Sequence, residues 1–124
     1  AQAIFEKITY IDPEQDKSLK LIKANANNML GLIYLNTKKL DLSFDAFKRA
    51  HIMFQQQYTM PHSALAVCLS NLGQVSNLLK FKELAIDYYE KALNQCEELY
   101  GPEHSQTQYT LTCLKSLRKS ETVG

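Results

Sequence analysis

The sequence has almost no net charge, because its 14 Lys and Arg residues nearly balance its 13 Asp and Glu residues. Residues of the two signs are interleaved along the chain, which is typical of a solvated surface. Domains that bind nucleic acid usually carry a basic patch or stripe. The composition therefore argues against a nucleic-acid partner, and it indicates no field that would attract an acidic substrate.

Long apolar segments and a regular cysteine pattern are also missing. The longest apolar run is far shorter than the roughly 18 to 20 residues that cross a bilayer, so we expect no membrane partner. Cys68, Cys96 and Cys113 are odd in number and follow no metal-ligand spacing. We expect free thiols in the core of a cytoplasmic protein. The absence of an Asn-x-Ser/Thr sequon agrees with that compartment.

No catalytic or cofactor-binding motif is present. The sequence contains no glycine-rich phosphate loop and no paired-carboxylate motif. His51, His62 and His104 are its only histidines, and none has a second metal ligand three or four residues away. We therefore expect no catalytic residues, no metal site, no cofactor and no enzymatic activity. His62 and His104 precede predicted helices, where we expect their rings to accept hydrogen bonds from free amides.

What the sequence does contain is an internal repeat with a period of 42 residues. Identical residues of the first unit are Ala24, Leu30, Gly31, Lys38, Leu42, Asp45, Ala50, Tyr58, His62 and Ser63. Their counterparts are Ala66, Leu72, Gly73, Lys80, Leu84, Asp87, Ala92, Tyr100, His104 and Ser105. A fixed period of this length is typical of a solenoid, in which each unit buries its apolar face against the next.

Each unit is predicted to form two helices, because its apolar residues recur at three- and four-residue steps. In the first unit, a helix is predicted to begin at Asp12-Pro13-Glu14. A turn at 36–39 and a second helix over 40–58 are predicted to follow it. In the second unit, Pro61 is expected in the first helical turn. The predicted segments are a partial repeat at 1–11, full repeats at 12–60 and 61–102, a capping helix at 103–118 and a flexible tail at 119–124.

The two ends of the predicted array, 1–118, differ in character. Residues 1–11 align with the second helix of the repeat that lies 84 positions further along the chain. We therefore expect them to be the end of an earlier repeat in a longer protein. The apolar side chains of that segment are Ile4, Phe5, Ile8 and Ile11. Their exposure predicts self-association through the N-terminal end. Lys115 stands where Gly31 and Gly73 pack closely against a following helix, which predicts that 103–118 closes the array.

A short set of positions carries a family resemblance. These positions hold Leu30, Gly31, Ser43, Phe47 and Ala50, and then Leu72, Gly73, Ala85, Tyr89 and Ala92. The pattern resembles the tetratricopeptide repeat, in which small residues stand where paired helices cross and an aromatic side chain fills the space between them. The resemblance implies an all-α fold, an α-α superhelix that forms a solenoid of antiparallel helix pairs. The period and the string Tyr100-Gly101-Pro102-Glu103-His104 are similar to the repeats of kinesin light chains.

The same resemblance implies a binding surface. First helices of tetratricopeptide repeats line a concave groove, and the matching residues here are Asn25, Asn28, Met29, Leu32 and Leu35, then Val67, Ser70, Asn71, Gln74 and Asn77, with Tyr109, Thr112 and Cys113 in the last helix. Amide side chains can pair with a peptide backbone, and apolar neighbours can contact its side chains. The basic residues that would clamp a terminal carboxylate are missing. The alternative is that these amides are solvated helix faces without a ligand.

We therefore predict a non-catalytic scaffold that binds a protein or peptide segment in the concave groove. The first alternative is a regulatory or substrate-recruiting repeat segment of a larger enzyme, which a nucleotide loop or zinc-ligand cluster elsewhere in the full-length sequence would reveal. The second alternative is an array whose role is self-association alone.

Overall fold

The computed structural model describes the backbone of residues 13–123 and the side chains of residues 15–119. Within this range the chain forms helices and no strand, and the helices are α1 (Pro13–Asn36), α2 (Leu40–Gln57), α3 (Ser63–Leu78), α4 (Lys82–Tyr100) and α5 (Ser105–Val123). Each helix packs on the next one along the chain. Because the connectors are short, consecutive helices run antiparallel. The predicted all-α superhelix of helix pairs is confirmed.

Glycine sets the closeness of the two helices within each unit. A Cβ atom placed on Gly31 would lie 2.6 Å from ring atoms of Phe47, and one placed on Gly73 would lie 2.9 Å from the ring of Tyr89. In the first unit, the Ser43 hydroxyl also donates a hydrogen bond of 2.7 Å to the carbonyl of Gly31. The small and aromatic positions of the repeat therefore meet at the helix crossing, as the sequence pattern predicts.

The turns inside the two units share an unusual backbone conformation. Lys38 and Lys80 are repeat-equivalent, and their φ angles are 62° and 71°. In each turn, the residue that follows the lysine donates a backbone hydrogen bond to a carbonyl in the last turn of the preceding helix, from Lys39 to Tyr34 and from Phe81 to Ser76. This left-handed cap satisfies carbonyls that the helix leaves free. It also brings α2 and α4 into the same register relative to the helices that precede them.

A histidine lies in each connector that follows a second helix, where its ring stacks on a tyrosine and caps the next helix. The rings of Tyr58 and His62 stack with centroids 3.8 Å apart, and the His62 Nδ1 atom accepts a hydrogen bond of 3.0 Å from the Ala64 amide. Tyr100 and His104 stack at 4.4 Å, and His104 Nδ1 accepts from the amide of the residue two positions later. Both rings cap the helix that follows them, as predicted for histidines at helix starts.

Several predicted boundaries differ from the structure. Pro61 lies outside α3, because His62 is the N-cap residue and the helix begins at Ser63. The predicted capping helix over 103–118 begins at Ser105 and continues to Val123, so most of the predicted tail, 119–124, is helical. The prediction for 1–11 falls outside the described residues.

The core runs along the inner faces of the helix pairs. Its largest fully buried side chains include Phe47, Phe54 and Leu72. The three cysteines are free, and Cys68 and Cys96 are buried. Burial raises the pKa of the Cys68 thiol to about 12, and its Sγ atom donates a hydrogen bond to the carbonyl of Phe47. The prediction of unpaired core thiols is confirmed for these two, whereas Cys113 is only half-buried.

Candidate functional site

The first helices present amide and apolar side chains to solvent at the predicted groove positions. Asn25, Gln74 and Asn77 are exposed, and Asn28, Ser70 and Asn71 are half-buried. The apolar members remain accessible, because 64% of Met29, 40% of Leu32 and 42% of Val67 is exposed. Contacts within the chain therefore leave part of the polar and apolar surface of these side chains accessible to solvent.

Three of the predicted residues surround one cavity between the two units. Asn25 and Asn28 from α1 and Val67 from α3 line a cavity of about 370 Å³. The remaining lining residues come from the end of α2 and from the connector and start of α3, and they are Phe54, Tyr58, His62, Ser63 and Ala64. The stacked Tyr58 and His62 rings therefore form one wall of this cavity. This wall was not predicted, although the repeated Tyr-His spacing is visible in the sequence.

A hydrogen bond joins the two first helices beside that cavity. Asn71 Nδ2 donates to Asn28 Oδ1 over 3.3 Å, and the two residues are 43 positions apart in the sequence. The Oδ1 atom of Asn71 and the amide protons of Asn28 remain available to a ligand. The resemblance implies that Asn71 contacts a peptide backbone, and the structure places it in a linked amide pair instead of an isolated position.

The other predicted residues divide between a second cavity and the open helix faces. Asn77, Thr112 and Cys113 line a cavity of about 270 Å³ between α3 and α5, together with Tyr89, Ser116 and Leu117. Tyr109 is exposed nearby on α5, and hydrogen bonding with the Cys113 thiol is the main cause that raises its pKa. The other predicted groove residues that line neither cavity are Met29, Leu32, Leu35, Ser70, Asn71 and Gln74, and Leu35 packs against the core.

The fourth position of the first unit holds an amide where the tetratricopeptide pattern usually has a large aromatic residue. Asn27 Nδ2 contacts the Lys23 carbonyl and the sulfur atom of Met53, and its Oδ1 atom accepts a hydrogen bond from Arg49 Nε. This polar network ties α1 to α2 in the first unit. The departure from the pattern therefore puts polar contacts at this position, while Gly31 and Phe47 still meet at the helix crossing.

A larger cavity, which was not predicted from the sequence, lies on the side of the second helices. It has a volume of about 470 Å³, and its lining residues include His51 and Gln55 from α2, Leu65 and Leu69 from α3, and Lys91 from α4. Burial, with a smaller contribution from the charge of Lys91, lowers the pKa of His51. No local sequence signal could have indicated this cavity, since its walls come from helices of different units.

The described residues contain no group of three or more His, Cys, Asp or Glu side chains that could hold a metal ion. In the same part of the chain, every helix is too short or too polar to span a bilayer. On α1, the apolar side chains of Ile22 and Ile33 are exposed. Self-association through the N-terminal end of the array stays a prediction.

Helix pairs that repeat every 42 residues, cross closely at a glycine and pack side by side define a helical-repeat protein of the solenoid class. Comparison with family models agrees with this class. One tetratricopeptide repeat model matches residues 65–106, and a second matches residues 24–50. The chain belongs to the tetratricopeptide repeat family. No curated protein matches it.

Proposed function

We propose that this chain is a non-catalytic interaction module whose partner segment lies along the first helices, across the residues that join the two units. Tetratricopeptide repeats generally mediate protein-protein interactions, which supports this proposal. Its free thiols favour a reducing compartment, so we propose the cytoplasm as its location. The proposed contact residues are Asn25, Asn28, Met29, Leu32, Val67, Ser70, Asn71, Gln74 and Asn77.

One observation carries the proposal. The amide pair Asn28–Asn71 lies beside a cavity that Asn25 and Val67 line from two different units. Hydrogen-bond donors and acceptors next to a cavity that both polar and apolar side chains line form an arrangement that can hold an extended backbone and one of its side chains. The exposed Leu32 and Met29 side chains on α1 extend the apolar surface along the helix.

The test is a quantitative pull-down that compares the wild-type chain with two variants. Val67→Glu puts a charge into an apolar contact, and we expect it to weaken partner binding by about tenfold or more. Asn71→Ala removes one side of the amide pair, and its expected cost is about 0.5 to 1.5 kcal/mol of binding free energy. Because both side chains face solvent at least partly, the melting temperature of each variant is expected to stay close to that of the wild type.

The control is Asp45→Ala, since Asp45 is exposed on α2 and has no part in the proposed site. Glu90 is less suitable as a control because it forms an ion pair with Arg118 of α5. Partners that bind the wild type and Asp45→Ala but not Val67→Glu support the proposal. If the same partners survive both groove changes and are lost with Asp45→Ala, the second-helix face is the binding surface instead.

A further inference from the structure

Charged residues are missing from the parts of the first helices that carry the proposed site. The sequence has no Asp, Glu, Lys or Arg from Ala24 to Thr37, from Ala50 to Leu79, or from His104 to Leu114. These three segments contain the C-terminal half of α1, the C-terminal part of α2, the whole of α3 and the first half of α5. The first helices therefore contribute donors, acceptors and apolar area to this surface but no charge.

The charges lie elsewhere in the described part of the chain. The second helices carry many of them, and their exposed charged residues include Asp45 and Arg49 on α2 and Asp87, Glu90 and Lys91 on α4. The first helices also carry charged residues outside the uncharged segments, in the N-terminal half of α1 up to Lys23 and in α5 from Lys115 onward. The proposed groove positions are thus uncharged in both units, and the charged residues lie outside them.

We infer that the partner of the proposed groove is a peptide segment without charged side chains over the stretch that contacts it, built from apolar and uncharged polar residues. This inference rests on the proposed function. A charged side chain moved from water onto this surface would lose hydration and would meet no opposite charge, which is unfavourable. An uncharged backbone would instead pair with Asn28 and Asn71, and a neighbouring apolar side chain would contact Val67.

Binding to an uncharged groove should respond to salt differently from binding to a charged site. Salt screens interactions between exposed charges, whereas neutral hydrogen bonds and apolar contacts depend on it little. Binding to this groove is therefore expected to be nearly independent of ionic strength. Its association rate is expected to lie in the range without electrostatic steering.

The experiment is a display selection of random short peptides on the whole chain, followed by titrations of the enriched peptides at low and high salt. We expect enriched peptides that lack Asp, Glu, Lys and Arg in their essential positions and whose Kd changes by less than about twofold with salt. A peptide is assigned to the groove only if Val67→Glu weakens its binding and Asp45→Ala does not.

A designed variant gives the matching gain of function. Gln74 is exposed on α3 within the uncharged region, so Gln74→Lys adds one positive charge without opening the core. We expect the variant to enrich acidic peptides and to make their binding sensitive to salt. The control Gln56→Lys adds the same charge at an exposed position of α2 outside the proposed site, and it should select the same peptides as the wild type. An unchanged peptide set for Gln74→Lys would contradict the inference.

The results distinguish failure of the uncharged-partner inference from failure of the groove proposal. If the enriched peptides lose binding in Val67→Glu but require charged residues, the groove stands and the uncharged-partner inference is overturned. If their binding is insensitive to Val67→Glu, or if no peptide is enriched over the Val67→Glu variant, the groove proposal itself fails.

Discussion

In the second unit, the first helix α3 and the second helix α4 present different surfaces to solvent. On α3, the exposed side chains include Val67, Gln74 and Asn77, and none of them is charged. On α4, which packs directly against it, the exposed side chains include Asp87 and Glu90. These side chains face solvent, so packing in the core does not determine the difference between the two surfaces. The uncharged surface is the one on which we propose that a partner binds.

The difference between the surfaces of α3 and α4 depends on how these two helices pair. Gly73→Leu should disrupt this pairing, and we expect the largest effect on stability from this variant. A Cβ atom alone would lie 2.9 Å from the Tyr89 ring, so a leucine forces α3 and α4 apart. We expect a loss of about 3 kcal/mol in the free energy of unfolding, measured by denaturant titration. Gln74→Leu adds the same side chain at the next, exposed position and should change stability little. Equal stability of the two variants would show that this helix crossing is wrong.

The second comparison concerns the connector that holds the two units together. His62→Ala removes the ring that caps α3 and stacks on Tyr58, with an expected loss of about 1 kcal/mol. His62→Asn keeps a capping acceptor and should recover part of this loss in the same thermal melts. His104→Ala should cost less than His62→Ala, because the His104 ring is exposed and stacks at the longer distance of 4.4 Å. The reverse order would contradict the role assigned to the connector.

A smaller effect is expected on the second-helix side, where burial and Lys91 hold the pKa of His51 below 6.5. As the pH falls, the unfolded chain takes up a proton at this position before the folded chain does. The unfolding free energy should therefore fall from about pH 6.5 downward until the lowered pKa is passed. Stability curves of wild type and His51→Gln test this, and the variant should lose this part of the acid dependence. Identical curves would mean that His51 is not desolvated.

Much of the fold could be predicted from the sequence because the repeat constrains it twice. Gly31 and Gly73, with Phe47 and Tyr89, recur at one spacing, and both pairs meet at helix crossings in the structure. Helix ends were predicted less well. Pro61 suggested a helix start, but the start depends on which group accepts the first free amide, and His62 supplies it one residue later.

The candidate site could be predicted only in part, for a physical reason. The groove positions follow from the family resemblance, and their role in binding stays a prediction, as does the likeness to kinesin light chain repeats. The Asn28–Asn71 hydrogen bond and the wall formed by Tyr58 and His62 depend on how two units stack. A pattern within one unit does not contain that information, so these features appear only in three dimensions.

The most direct test of the account is an NMR titration of the isotope-labelled chain with a groove-binding peptide from the selection. The account predicts that the signals of Asn25, Asn28, Val67 and Asn71 shift as the peptide binds, together with the side-chain amides of the two asparagines that are hydrogen-bonded to each other. The signals of exposed residues on the second helices, such as Asp45 and Asp87, should stay in place. Shifts confined to α2 and α4, with α1 and α3 unchanged, would contradict the claim that the uncharged face of the first helices binds the partner.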